Sequence, residues 1–410
     1  MSSLVRRNRA FRRLWAAGAV SLIGDWLSLV AVATLAQASG GGAFALALVF
    51  AAHALPGAVL APVAGAIVDS FDRRRVLVAA DAVASLVTVA MVIAALAGQP
   101  YVIAGLLLVR SAITSLVLPG EAAAIRHLVS NEDLMPANAI LAATWSVAFV
   151  VGMALGSVAA MLGPALALGL DAASFALAAV LHATLPALPV TARPRSLGEV
   201  VRATPRDTAE ALRVAAAKPA LLTAVLGKAP LAFAGGAGWV ALNLIAADAV
   251  PFGAAALSFG LLQAIRGAGT GIGPALAARF TNAGVSESRL QALSVITTLA
   301  AIPCLAITRS PVGLSIATLL WGVGVGSNWV LAHTSLQRHS ELHVIGRLAA
   351  FDELLVAGAM VASAFIGAAA IETFGLAAGP LAACVLGVVG VTATTLVVTI
   401  VGRRPSRAAA

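Results

Sequence analysis

The chain has 410 residues, 60% of them hydrophobic and only 10% charged, with a formal net charge of +9 and a mean hydropathy of +0.99. Soluble domains carry about a quarter charged residues, so this composition excludes a soluble fold and reads as an integral membrane protein. The two cysteines, Cys304 and Cys384, lie in apolar runs and read as small core residues, with no disulfide framework and no metal-ligand spacing.

Arg6, Arg7, Arg9, Arg12 and Arg13 precede the first apolar run, which ends in Ala-Gln-Ala at 36–38. That pattern imitates a cleaved signal. The run is too long for a signal core of about 7–15 residues and contains Asp25, so it reads as a first membrane helix. Spans of about 20 mostly apolar residues follow in chain order at 12–38, 43–68, 76–97, 101–125, 138–162 and 165–186, then at 220–247, 254–279, 290–308, 312–336, 350–371 and 376–401. The polar stretch 187–219 separates the two sets and is amphipathic in its second part. The expected fold is therefore all-α and membrane-integral, with twelve transmembrane helices in two six-helix pseudo-symmetric bundles, 1–186 and 220–410, joined by a cytoplasmic linker.

The basic residues orient the chain. With the N-terminus inside, 22 of the 26 Lys and Arg fall on cytoplasmic segments and only Arg309 on the opposite side. This is the bias expected of cytoplasmic loops, and it places both termini inside. It accounts for the net charge without nucleic acid. Arg in large excess over Lys, with abundant Ala, fits a high-GC bacterial genome and hence a bacterial inner membrane. No GxxxxGK[ST] loop exists for ATP, and no cofactor or metal is expected.

The segment GAIVDSFDRRRVL, 65–77, resembles the loop signature of the major facilitator superfamily through Gly65, Asp69, Arg73 and Arg74. Gly65 would allow close helix approach, and Asp69 would meet the positive end of a neighbouring helix. FRRLWAAGAVSLIGDWLSLVAVATL (11–35), LVSNEDLMPANAILAATWSVAFVVG (128–152), LDAASFALAAVL (170–181) and QRHSELHVIGRLAAF (337–351) are similar to the branch holding macrolide-type and siderophore exporters. Gly152-Met153 stands where relatives often carry Gly-Pro, which leaves the transport direction open.

The resemblance implies that spans one, four, seven and ten line a central cavity. LLLVRSAITSLVLPG (106–120) resembles the fourth-span signature, whose arginine, here Arg110, is associated with proton coupling. Asp25 lies about 20 Å and Arg110 about 22 Å from the cytoplasmic ends of their helices at 1.5 Å per residue. They are expected to pair, either as a protonation switch or as a static strut. Lys228 would face the cavity and meet Asp25 or an anionic substrate, or snorkel to the interface. Arg266 would approach the cavity wall or hold the carbonyls of Gly267 and Gly269. His53 would titrate or simply pack. Asp81 would pair with a loop arginine and Asp171 would cap span six. Trp26, Asn243, Trp321, Asn328 and Trp329 are the candidate substrate-lining residues, with plain packing as the alternative.

The resemblance implies a secondary transporter, with no enzymatic activity, performing proton-coupled efflux of amphipathic small molecules by alternating access. Import, flipping of a lipid-like solute, and a non-transporting sensor are the rival readings. The expected partners are a small-molecule substrate, protons and the lipid bilayer, and the chain is expected to be a monomer.

Overall fold

The computed structural model describes residues 2–188, 197–341 and 344–402. Arg193 and Arg195 of the linker, and the C-terminal Arg403, Arg404 and Arg407, lie outside the described residues. The fold is all-helical, as the composition implies. In chain order the helices are α1 (Ser2–Arg7), α2 (Arg9–Ala38), α3 (Gly42–Ser70), α4 (Arg73–Leu96), α5 (Pro100–Thr114), α6 (Val117–Leu128), α7 (Leu134–Leu162) and α8 (Pro164–Ala183). Then come α9 (Leu197–Ala217), α10 (Pro219–Leu226), α11 (Ala229–Ala249), α12 (Ala255–Asn282), α13 (Glu287–Ile307), α14 (Pro311–His339), α15 (Ile345–Phe374) and α16 (Ala378–Gly402).

Among the described residues, eleven helical segments are long and apolar enough to cross a membrane, counting α5 with α6 and α10 with α11 as one segment each. The twelfth expected span is α12, which is equally long. Gln263, Arg266 and its glycines hold its hydropathy below that of the others.

Two spans are broken by proline. Pro119 has no N–H to donate, and its ring crowds the carbonyl four residues earlier; α5 stops at Thr114, just before Ser115. Pro230 stands in the same relation to Leu226, where α10 stops. Arg110 therefore sits one turn before a break, and Lys228 sits inside one.

The chain divides into two compact units, Met1–Val201 with Phe252–Ala264, and Arg202–Pro251 with Ile265–Ala410. In the first, α2 packs against α7 and α8, and α4 against α5 and α8. In the second, α11 packs against α15 and α16, and α13 against α14. The amphipathic stretch of the linker forms α9, whose Ala211 and Ala215 are buried with Leu221, Val225, Leu336, Val344 and Leu348.

Several sequence expectations are corrected. A Cβ placed on Gly65 would meet nothing within 4 Å, so this glycine mediates no close helix approach among the described residues. Asp69 is exposed, and the helix-capping carboxylate is Asp72. Its side chain accepts from the N–H groups of Arg75 and Leu188, both at 3.1 Å, while the Arg73 N–H donates to the Leu188 carbonyl at 3.3 Å. An N-cap acid satisfies the orphan donors of the first turn, and only Asp72 immediately precedes α4. Arg73 is buried. Cys304 is exposed, because in a membrane helix apolar character marks lipid-facing and core positions alike.

Close approach is carried by other glycines. A Cβ on Gly322 would stand 2.9 Å from the Arg266 carbonyl carbon and 3.0 Å from the Thr270 nitrogen, so α14 lies directly on the α12 backbone there. Gly322→Val should cost about 1–3 kcal/mol through overpacking, whereas Gly65→Ala should stay within about 0.5 kcal/mol. Melting of the two variants in one detergent checks the difference.

Candidate functional site

The site in the first unit is built on three helices around one guanidinium. Arg110, in the last turn of α5, is fully buried. Its Nη2 donates to Asp25 Oδ1 at 2.5 Å, and its Nη1 donates to Ser28 Oγ at 2.8 Å and to Asp171 Oδ2. Phe175 lies below the guanidinium at 5.7 Å from its ring centre. Asp171 is fully buried, while the Asp25 side chain keeps 22% of its surface exposed. The triad therefore has a dry acid and a wet one.

Local sequence explains the convergence. Asp25 and Ser28 are three apart on α2, and Asp171 and Phe175 four apart on α8, so each pair shares a helix face. Gly24 brings the two helices together: a Cβ there would lie 2.7 Å from Asp171 Oδ1 and 2.8 Å from Ser174 Cβ. Ser174 Oγ donates to the Asp171 carbonyl at 2.8 Å, and Ser28 Oγ to the Asp25 carbonyl at 3.0 Å. Ser28 Oγ, its own proton committed to that carbonyl, accepts from Arg110 Nη1 and so satisfies a donor of the buried ion pair.

The Asp25–Arg110 contact is the pair expected from helix depth. Asp171 is the correction: it lies two turns inside α8 and holds the arginine instead of capping the helix. Asp81 is likewise corrected. It pairs with His182 Nδ1 at 2.6 Å rather than with a loop arginine, because it lies two turns inside α4 and is completely buried.

Beside the triad, Trp26 is the hub of an aromatic group. His53 lies 5.4 Å from it, Phe149 4.6 Å and Trp145 5.8 Å between ring centres. Trp26 Nε1 and His53 Nδ1 are buried with no hydrogen-bond partner among the described residues.

The second unit holds another buried cation. Lys228 Nζ donates to Asp352 Oδ2 at 2.5 Å and to Glu353 Oε1 at 3.2 Å, and lies 4.7 Å from the centre of the Trp329 ring. Its side chain is 1% exposed, so it does not snorkel. Arg266 lies over Trp321 at 5.1 Å; Trp321 also packs on Gly238. The two tryptophans thus serve different cations. Asn243 and Asn328 are both buried. Sequence reasoning missed Asp171, Asp352 and Glu353. The adjacent acids of FDELL, 351–355, at the start of an apolar run, were an available signal for the last two.

Solved structures share this fold. A mutant of the nucleoside transporter NupG superposes with a TM-score of 0.73 at 13% identity, covering 95% of this chain and 99% of that one. A bacterial homologue of the human lysosomal transporter Spinster, inward-facing and unoccupied, gives 0.68 at 17% identity, over 98% of this chain and 96% of the other. The chain thus shares the fold of these two proteins. A family model described as transmembrane secretion effector matches residues 3–403, and the chain belongs to that family of the major facilitator superfamily. The MFS-type transporter y4rN of Sinorhizobium fredii is 28% identical over 307 residues, 73% of each chain. The MFS-type transporter YfiS of Bacillus subtilis is 30% identical over 154 residues, so the match spans 37% of this chain and 36% of that relative.

Removing Arg110 leaves two carboxylates without their counter-ion, whereas removing one acid leaves the arginine paired. Arg110→Ala should therefore lose about 3–5 kcal/mol and Asp171→Asn distinctly less. Thermal unfolding of the purified variants in the same detergent gives the ranking.

Proposed function

We propose that this transporter is a proton-coupled exporter of amphipathic small molecules. It would work as a monomer by alternating access, in a bacterial inner membrane with both termini cytoplasmic. The observation that carries the reading is Arg110 held between Asp25 and Asp171. One guanidinium balances one carboxylate, so this site holds an excess acid. Protonating the partly exposed Asp25 leaves a neutral Arg110–Asp171 pair and removes the ionic contact between α2 and α5, leaving the Ser28 hydrogen bond between them. Protonation is thereby linked to a helix contact, which is what coupling requires. The family description, transmembrane secretion, supports the outward direction, and the Bacillus and Sinorhizobium relatives support a bacterial membrane.

The aromatic group around Trp26 supports the substrate class. Trp26, Trp145 and Phe149 offer apolar faces, while the unpartnered Trp26 Nε1 and His53 Nδ1 offer polar contacts beside Asp25. A ligand both apolar and polar matches such a lining. Gly65 and Asp69 at the end of α3, with Arg73 and Arg74 at the start of α4, are assigned to the junction that switches with the transport cycle.

In proteoliposomes with an imposed proton gradient, Asp25→Asn should retain substrate binding and lose gradient-driven flux down to the protein-free background. Unchanged flux would remove Asp25 from coupling. Gradient-driven uptake toward the side of the termini would make the protein an importer, and binding without flux would make it a sensor.

A further inference from the structure

A second set of buried titratable side chains lies elsewhere in the first unit. Asp81 of α4, Glu121 of α6 and His182 of α8 converge there. The His182 ring nitrogen Nδ1 stands 2.6 Å from Asp81 Oδ2. Its other nitrogen, Nε2, faces Glu121 Oε1 at 4.0 Å. Asp81 and His182 are fully buried and Glu121 is 8% exposed. Asp81 Oδ1, Glu121 Oε1 and His182 Nε2 all lack a hydrogen-bond partner among the described residues.

The surroundings make a closed site. α2 contributes no side chain where Glu121 rests: a Cβ on Gly18 would lie 3.0 Å from the carboxyl carbon. One turn from each member, toward the start of α2 and the end of α8, stands an apolar residue. These are Leu14 beside Gly18, Leu77 beside Asp81, Ile125 beside Glu121 and Leu185 beside His182, all within one buried cluster. Other charged groups on the same elements point elsewhere. Arg13 of α2 donates to the Thr184 carbonyl at 2.7 Å and is part of the exposed helix end. Arg126 and His127 of α6 are exposed, and Arg73 of α4 lies two turns before Asp81. Asp171 of α8 is engaged by Arg110.

The charge arithmetic of such a site is restrictive. With a neutral imidazole donating Nδ1–H to Asp81, Nε2 presents a lone pair. An ionised Glu121 would then oppose it with another, and two buried carboxylates would share no cation. An unpaired buried carboxylate is strongly disfavoured by its lost hydration. A single added proton removes the conflict, either as an imidazolium between two carboxylates or as a Glu121 hydroxyl donating to Nε2.

We propose that Asp81, Glu121 and His182 form a second proton-binding site, distinct from the Arg110 site, in which one proton joins Glu121 Oε1 to His182 Nε2 and holds α6 against α8. The proton comes from water and returns to it; no other bond forms or breaks. Release of the proton favours separation of α6 from α8 until water reaches the two acids. Asp171 and His182 lie eleven residues apart on α8, three turns on one face and about 16 Å along the axis. Gly18 and Asp25 lie two turns apart on α2. Both sites therefore belong to the same α2–α8 seam, the second one closer to the apolar cluster.

The test is infrared titration of the full-length protein in lipid nanodiscs, with 13C-labelled glutamate and 15N-labelled histidine. One glutamate carboxyl band and one imidazole band should change at a shared midpoint. Glu121→Gln should remove the carboxyl band and move the imidazole midpoint. His182→Gln should remove the imidazole band and move the carboxyl midpoint by tenfold or more in proton concentration, as linkage between two interacting sites requires. Both bands should persist in Asp25→Asn, which separates this site from the proposed coupling site. Independent midpoints in the two variants would overturn the proposal. So would a carboxyl band that responds to added sodium at fixed pH rather than to protons. If Glu121→Gln does not fold, the carboxyl midpoint of His182→Gln decides alone.

Discussion

A guanidinium with no access to water must be answered by acids, and in the first unit that demand organises three helices. Arg110 offers donors in a fixed fork, and the carboxylates that meet it come from α2 and α8. Those helices approach closely only because residue 24 is glycine. The serines at 28 and 174 follow from the same demand, since each buried polar atom needs its own partner. Charge, helix spacing and small-residue placement are one constraint seen at three scales.

The second unit meets the same constraint with different residues. Lys228, like Arg110, has two carboxylates and one aromatic face. In each set one acid is dry, Asp171 or Asp352, and the other is wetter, Asp25 or Glu353. Each cation also adjoins a proline-broken span. Lysine makes a point-charge contact where arginine makes a forked one, so the second set depends more on its aromatic face.

What could be read from the sequence divides along physical lines. Span class follows from hydropathy, because backbone in a bilayer must bond internally and helices satisfy that locally; the twelfth span, α12, follows from its length instead. The Asp25–Arg110 contact was legible because two opposite charges at one depth in apolar surroundings have few other partners. Asp171 was hidden because it was read as a cap, although it stands two turns inside α8. Its partner is set by the rotation of α8, which a short apolar helix of uniform composition does not disclose. Asp69 and Asp72 illustrate the converse. The resemblance drew attention to the first, but capping is decided by which acid abuts the helix, and that is the second. Gly65 likewise matches a pattern without making the contact that the pattern suggests.

The interruption after Arg110 has a mechanical side. Beyond Ser115 and Leu116 the chain resumes as α6, twelve residues long and so about 18 Å at 1.5 Å per residue. A segment of that length pivoting about a weakened joint acts as a lever. A tilt of about 10° carries its far end about 3 Å and Glu121, about 7 Å from the joint, about 1 Å, given that rise, enough to lengthen or shorten a polar contact. Glu121 rides on the near part of that lever, while Arg110 stays on the fixed side of the pivot. Small angular play at one proline can thus alter the contacts of one buried acid and leave the guanidinium in place.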